Sequence, residues 1–212
     1  MQILTQRQFC RDALLNAGVG ETLFWQGDGC AHVYELCSGI VRGVSISEEG
    51  ERQVTAFFFA GDQIGIPVTP TYRYSAEPVT PVSCLRHPHG RWCDALIEAF
   101  RRDGRLLQSI GAEQDPLFRR GMLIGRSGAL SRVAAFLTLI IDRLEPCGPG
   151  LKFPLPQIDI ASYLALTPET VCRALKQLRK AEIIDMPSHD RLIVRDRTRL
   201  DYAAHAPLAL RP

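Results

Sequence analysis

The chain has no long hydrophobic run. Its longest apolar stretch, Val133 to Ile141, falls far short of the roughly 20 residues that span a bilayer. Met1 to Arg11 is polar and lacks the apolar segment of a secretory signal, so a cytoplasmic protein with no membrane partner is expected. Cysteine has no framework. There are seven, an odd count with no repeated spacing, which excludes a disulfide scaffold and points to reduced thiols. An enzyme would need a nucleophile–base pair or a metal-ligating cluster, and neither is found. Glu48, Glu49 and Glu51 crowd one turn, as a solvated charged tip does. Gly27-Asp28-Gly29 has no helix after it and is turn chemistry, not a phosphate loop.

Lysine is also scarce, and its placement is informative. All three lysines (Lys152, Lys176 and Lys180) lie in the last third. Residues 1–145 carry 15 Lys+Arg against 16 Asp+Glu, whereas residues 146–212 carry 10 against 7. The basic excess therefore belongs to the C-terminal end, as attraction to phosphates requires.

That end holds the stretch around which the chain is organised, Leu155 to Asp185. One apolar-periodic segment runs from Ile158 to Leu164. After a break at Ala165-Leu166-Thr167, a second runs from Pro168 to about Ala181. Thr167 suits the helix N-cap and Pro168 the first helical position, where its missing N–H costs nothing. The pattern predicts a helix-turn-helix whose second helix enters a DNA major groove. Val171, Leu175 and Leu178 form its packing stripe, with Glu169, Cys172, Arg173, Lys176 and Lys180 on the other side. Glu169 can accept from cytosine N4, Arg173 can fork onto guanine O6 and N7, and Cys172 lies between them as a third base contact. Thr167, Thr170, Lys176 and Lys180, with Arg179 beside them, are expected at the DNA backbone.

Residues 20–90 read as short strands between glycine turns: Glu21–Trp25, His32–Leu36, Ile40–Ile46, Arg52–Phe58 and Val82–Arg86. Even spacing and β-branched or aromatic content predict a small barrel or jelly roll. Pro67 to Pro81 holds four prolines, so no conventional strand is expected there. From about Trp92 the pattern turns helical. Asp103, Leu106, Ile110, Glu113, Leu117, Arg120 and Ile124 alternate spacings of three and four, a coiled-coil-like seam. Leu106, Ile110, Leu117 and Ile124 are its candidate dimer contacts. Pro116 either kinks this helix, at about 3 kcal/mol, or starts a new one. Ser127 is the expected cap of a helix over 128–144, and Pro146 to Gly150 breaks the chain after it. Ile183–Met186 and Arg191–Arg195 flank Pro187 to Asp190 as a wing, with Arg191 and Arg195 near backbone phosphates. A short helix near 198–204 ends the fold.

This order resembles the CRP/FNR family of bacterial transcription regulators over most of the chain. The carriers are Gly20-Glu21-Thr22-Leu23-Phe24 with Gly27-Asp28, Phe59-Ala60-Gly61-Asp62 with Ile64-Gly65, and Leu164-x-Leu166-Thr167-x-Glu169-Thr170-Val171-x-Arg173. The resemblance implies an α+β chain: a cyclic-nucleotide-binding-like β-roll (jelly roll) over 1–102, a long dimerisation helix over 103–126 and a winged helix-turn-helix over 127–212. It also implies a homodimer that binds double-stranded DNA and contacts RNA polymerase. Glu169-Thr170-Val171-Cys172-Arg173 is most similar to the FNR/FixK branch, with cysteine where serine is usual. The implied target is similar to TTGAT-N4-ATCAA, and the implied role is that of an activator. Ala165 stands where a glycine is common; a left-handed backbone there costs alanine about 1 kcal/mol.

The effector groups of the family are absent. Cyclic-AMP-responsive members carry Gly-Glu and Arg-Ser pairs, whereas here Ile66 follows Gly65 and Tyr74 precedes Ser75. Losing the guanidinium removes the partner of a buried phosphate, so no cyclic nucleotide is expected. An iron–sulfur cluster normally takes four thiolates. Cys84 matches the β-roll ligand position, but Cys10 stands alone in the leader, and Cys30 and Cys37 lie in turns. No metal or cofactor is expected. The alternative is a ligand-gated sensor of the same family holding such a cluster, haem through His32, His87 or His89, or another effector. Regulation through Cys172 is the other candidate. It lies in the first turns of a helix beside Arg173 and Lys176, which favours thiolate, and its oxidation would place bulk and charge against DNA.

Overall fold

A computed structural model describes residues 13–67, 69–102 and 116–205. The chain separates into two compact units, residues 1–116 and 117–212.

The first unit is two antiparallel sheets. One has the order β1-β7-β2-β5, from β1 (Ala13–Ala17), β2 (His32–Ser38), β5 (Gln63–Ile64) and β7 (Val82–Pro88). The other has the order β4-β3-β6, from β3 (Val41–Ile46), β4 (Arg52–Phe58) and β6 (Ser75–Pro78). Tyr34 and Leu36 from one sheet, Val41, Ala56 and Phe58 from the other, and Phe24, Tyr72 and Cys84 form a single buried cluster. Period-two patterning thus closes a roll around one core. Helix α1 (His89–Arg102) follows, with Trp92 buried in its first turn.

Three expectations change here. Glu21–Trp25 is not a strand: Phe24 makes an isolated bridge to Ala76, between turns at Gly20 and Gly27 that both take positive φ. Conversely, the proline-rich stretch does contain a strand, β6. It lies at the edge of its sheet with Pro78 opposite Val41, where a missing N–H is tolerated. Strand β1 was not foreseen. It has exposed Leu14 and gains its ladder only from β7, about seventy residues later (Ala13↔Arg86 to Ala17↔Val82).

The second unit is built on α3 (Ala129–Ile140), whose Val133, Ala134, Phe136, Leu137 and Ile140 are buried. Its N-cap is Gly128, at φ 85° and without a side-chain bond, so Ser127 is not the cap. A 3-10 turn, Ile141–Arg143, continues the helix. Before it, α2 spans Pro116–Ile124, so the proline opens a described helix. The seam positions Leu106 and Ile110 lie outside the described residues. Arg120 Nε donates to the Tyr163 carbonyl at 2.9 Å, within the same unit.

Pro146 to Gly150 is not a simple break. It is a hairpin of β8 (Pro146–Cys147) and β9 (Gly150–Lys152), which joins the wing strands β10 (Ile184–Ser188) and β11 (Arg191–Val194) in a sheet ordered β10-β11-β9-β8. The wing turn is accordingly tighter than the four residues expected, because β10 runs on to Ser188, opposite Arg191. Helices α4 (Gln157–Leu164) and α5 (Pro168–Lys180) precede the wing, and α6 (Arg197–His205) closes the unit. Ser131 on α3 donates to the Ala204 carbonyl at 2.8 Å and Thr138 bonds Asp201 at 3.1 Å, pinning α6 to α3. Among the described residues no helix is long and apolar enough to cross a membrane.

Candidate nucleic-acid interface

Helices α4 and α5 form a helix-turn-helix because each end of the turn is closed by its own sequence. Helix α4 ends at Ala165, at φ 52° and ψ 51°. Leu166 N–H reaches back to the Ala161 carbonyl at 2.9 Å, which satisfies a carbonyl the helix end would leave open. Alanine therefore occupies a left-handed position, and the cost foreseen for it is present. Thr167 caps α5: its Oγ1 accepts the Thr170 N–H at 3.2 Å, with Pro168 directly after.

Helix α5 divides its faces as expected. Val171, Ala174, Leu175 and Leu178 are buried, while Glu169, Arg173, Lys176, Arg179 and Lys180 are exposed and Thr170 and Cys172 are half-buried. The exposed N-terminal end of α5 is internally bonded. Arg173 Nη2 donates to Thr170 Oγ1 at 3.1 Å, and Thr170 Oγ1 lies 3.0 Å from Thr167 Oγ1. The Glu169 carboxyl is held below the ordinary carboxylate range, first by its own backbone N–H, then by the Thr167 hydroxyl, with Arg173 contributing less.

At the other end of α5 the helix joins the wing. A groove of about 730 Å³ is lined by Lys176, Arg179, Lys180, Glu182, Ile184, Asp185 and Arg195. Asp185 on β10 bridges its cations, 2.9 Å from Arg195 Nη2 and 3.9 Å from Arg179 Nε. That carboxyl is accordingly held low, chiefly by Arg195. Sequence reasoning missed Asp185, since only the β10–β11 register brings it to Arg195. Glu182, which follows the C-cap of α5 at φ 54°, was missed too. Arg191 is half-buried, and its Nη2 donates to Cys147 Sγ at 3.4 Å. The wing arginine is thus tied to the β8–β9 hairpin.

Of the candidate dimer contacts, Ile124 is half-buried on α2, and nothing is described of the Leu117 side chain. Phe118 and Met122, one turn apart on α2, are 62% and 60% exposed. The seam spacing did not select them.

The β-roll fills its own interior with aromatic rings. Phe24 stacks on Tyr72 with centroids 3.9 Å apart, and Tyr74 stacks on Phe58 at 5.6 Å. The Tyr72 hydroxyl donates to the His32 carbonyl at 2.7 Å and accepts the His32 N–H at 3.0 Å. Gly65 N–H donates to the Tyr74 hydroxyl at 3.2 Å. Gly65 sits at φ +74°, and an added Cβ would lie 3.0 Å from the Tyr72 ring, so backbone and rings are closely packed there. The residues present do not fit a cyclic nucleotide. The backbone donor at Gly65 is already engaged, and the arginine position is taken by tyrosine.

The cysteines and histidines of the roll differ in burial. Cys84 is fully buried, and burial pushes its thiol up to about 11. Cys30 is buried and Cys37 exposed, while Cys10 lies outside the described residues. His87 is buried with Nε2 3.7 Å from Glu35 Oε2. His32 is held below its usual pKa by burial and then by Arg86, and His89 begins α1. Among the described residues, no three of His, Cys, Asp or Glu group as a metal site.

Comparison with known proteins gives two family matches: a cyclic nucleotide-binding domain over residues 16–98 and a Crp-like helix-turn-helix domain over residues 131–202. The nitrogen fixation regulation protein FixK of Rhizobium meliloti is 30% identical over 169 residues, covering 78% of this chain and 74% of its own length. The transcriptional activatory protein AadR of Rhodopseudomonas palustris is 31% identical over 174 residues, covering 79% and 71%. The structure of FixK2 from Bradyrhizobium japonicum superposes with a TM-score of 0.81 at 28% identity, covering 92% of this chain and 98% of that one.

Proposed function

The chain belongs to the CRP/FNR family of DNA-binding transcription regulators, with FixK- and FNR-type proteins among its relatives, and on that premise we propose that it is a homodimeric activator reading a palindrome similar to TTGAT-N4-ATCAA. The observation that carries this is the division of α5: Val171, Leu175 and Leu178 lie buried behind an exposed row of Glu169, Arg173, Lys176 and Lys180. Glu169 and Arg173 are the principal base readers, Cys172 lies beside them, and Lys176, Lys180 and Arg191 serve the phosphates. A homodimer places two such helices about one DNA turn apart. Exposed Phe118 and Met122 on α2, with the seam through Leu106, Ile110, Leu117 and Ile124, support pairing there. Activation is carried over from relatives named as activators; contact with RNA polymerase and a cytoplasmic location are what the family resemblance implies.

The regulator works without a cyclic nucleotide, metal or other cofactor. What supports the first of these is the engagement of Gly65 N–H by Tyr74 and the packing of Tyr72 on Phe24. Cys172 supplies control instead. Peroxide converts its thiol to a sulfenic acid with release of water, and further oxidation adds negative charge beside DNA. Selection of bound duplexes from a random pool tests the reading: an enriched palindrome of that type is expected, and no enriched palindrome overturns it. For the cysteine, Cys172→Ser is expected to keep DNA binding after peroxide while the wild type loses it. Equal sensitivity would refute the redox role.

A further inference from the structure

We infer that Asp185 stands in for a DNA phosphate in the groove between α5 and the wing, and so limits how tightly the protein holds the DNA backbone. This rests on the reading of α5 and the wing as the DNA-contacting face. Arg179 and Arg195 are both expected near phosphates, and in the folded chain each faces this carboxylate instead.

The groove gathers Lys176, Arg179 and Lys180 from the end of α5 and Arg195 from the wing. Two carboxylates, Glu182 and Asp185, lie among these four cations. Strand pairing puts Asp185 in place. It lies opposite Ile193 in the β10–β11 register, so Arg195, two residues on, shares its face of the sheet. The Arg195 backbone N–H donates to the Ile183 carbonyl at 2.9 Å, which carries the pairing one step past β11. Arg195 Nη2 then donates to Asp185 Oδ2 at 2.9 Å. Asp185 Oδ1 accepts the Met186 N–H at 2.8 Å and lies 3.9 Å from Arg179 Nε. The carboxylate is thus fixed by its neighbour's backbone, with one oxygen towards each arginine.

A phosphate and a carboxylate offer a guanidinium the same thing, charged oxygens that only accept. Asp185 therefore holds the position that a backbone phosphate would take between Arg179 and Arg195. The position is open to exchange. The side chains of Arg179 and Arg195 are 49% and 56% exposed, and ion pairs this exposed add little to stability. A phosphate can take over the arginines without unfolding the wing, but only against a like charge that the Met186 N–H keeps in place. Backbone affinity grows with the number of phosphates neutralised and counterions released. While Asp185 is paired, Arg179 and Arg195 add little to that number, and Lys176 and Lys180 carry it. The effect is blind to base sequence. It weakens binding to every duplex and leaves the base discrimination of Glu169 and Arg173 as it is.

Asp185→Asn in the full chain tests this, because the amide keeps the shape and the acceptor for the Met186 N–H and removes the charge. Affinity is measured on the selected palindrome and on an unrelated duplex over a range of salt concentrations. The variant is expected to bind both about tenfold more tightly, with the slope of log affinity against log salt steeper by about one to two. The ratio between the two duplexes is expected to stay as in the wild type. In a chain that also carries Arg179→Ala and Arg195→Ala, the same change is expected to gain no more than about twofold, since the cations it unmasks are gone. Unchanged or weaker binding by Asp185→Asn overturns the proposal; weaker binding would make the carboxylate a group that orients the arginines for phosphate. An equal gain in both backgrounds also overturns it, because net charge alone would then account for the gain. A wild-type chain with no palindrome preference would defeat the functional reading, while the gain on the unrelated duplex still decides the role of Asp185.

Discussion

In the β-roll, Tyr72 turns its hydroxyl onto both backbone groups of His32, and Tyr74 takes the N–H of Gly65. On α5, the polar groups lie on the outer face: Glu169, Arg173, Lys176 and Lys180 are exposed, and Arg173 donates to the Thr170 hydroxyl. The two regions match a cyclic nucleotide-binding domain and a Crp-like helix-turn-helix domain, and they differ in whether the polar groups named are engaged inside the fold or exposed. Burying a hydroxyl without a partner costs about 1–3 kcal/mol, so a roll filled with tyrosine rings must satisfy them from its own backbone. Once satisfied, those backbone groups are engaged within the roll, which is what the proposed independence from a cyclic nucleotide rests on. On a solvated helix face water satisfies the same kinds of group, and they stay free to exchange it for bases and phosphates.

The largest expected effect comes from emptying the filled region. Tyr72→Ala removes a buried ring stacked on Phe24 and both bonds to His32, and is expected to cost about 3–4 kcal/mol of stability, measured by denaturant unfolding. The contrast breaks if this variant loses little stability or gains measurable affinity for a cyclic nucleotide.

Next in size is the open region. Arg173→Ala is expected to lose about 2 kcal/mol of discrimination per half-site, roughly thirtyfold, at the guanine the proposed reading assigns to it. Its unfolding midpoint should stay almost unchanged, because the residue is exposed. A large loss of stability would mean that Arg173 serves the fold, and the two regions would no longer differ in kind.

The smallest effect sharpens the boundary of the reading unit. Ala165 lies at φ 52° in the turn, so Ala165→Gly is expected to stabilise the protein by about 1 kcal/mol, with base preference unchanged. Destabilisation would show that the turn does not hold a left-handed residue.

Helix α5 was legible because its determinants are local. Thr167 caps three residues away, Pro168 starts the helix, and Val171, Leu175 and Leu178 mark its inner face at intervals of three and four. The turn residue Ala165 was legible only through the family resemblance, which places a glycine there. The β-roll was legible as a class, but not strand by strand. Glu21–Trp25 has strand composition yet makes one bridge, while Ser75–Pro78 contains a proline and still pairs, because an edge position forgives it. The break at Pro146 to Gly150 became a hairpin for a similar reason: β9 finds its partner in β11, some forty residues on.

The candidate site divides along the same line. Glu169, Cys172, Arg173, Lys176 and Lys180 were assigned to one face by helical period alone, and that period is a property of any α-helix. Which of them touch, and through what, was decided by tertiary geometry. Asp185 reaches Arg195 and Arg179 through the wing register, Arg191 is held by Cys147 across two strands, and Tyr74 meets Gly65 through the closure of the roll. Local order in a sequence determines periodicity, caps and charge. Contacts between distant residues depend on how strands pair and which side chains fill the space between them, and that is settled only when the whole core packs at once.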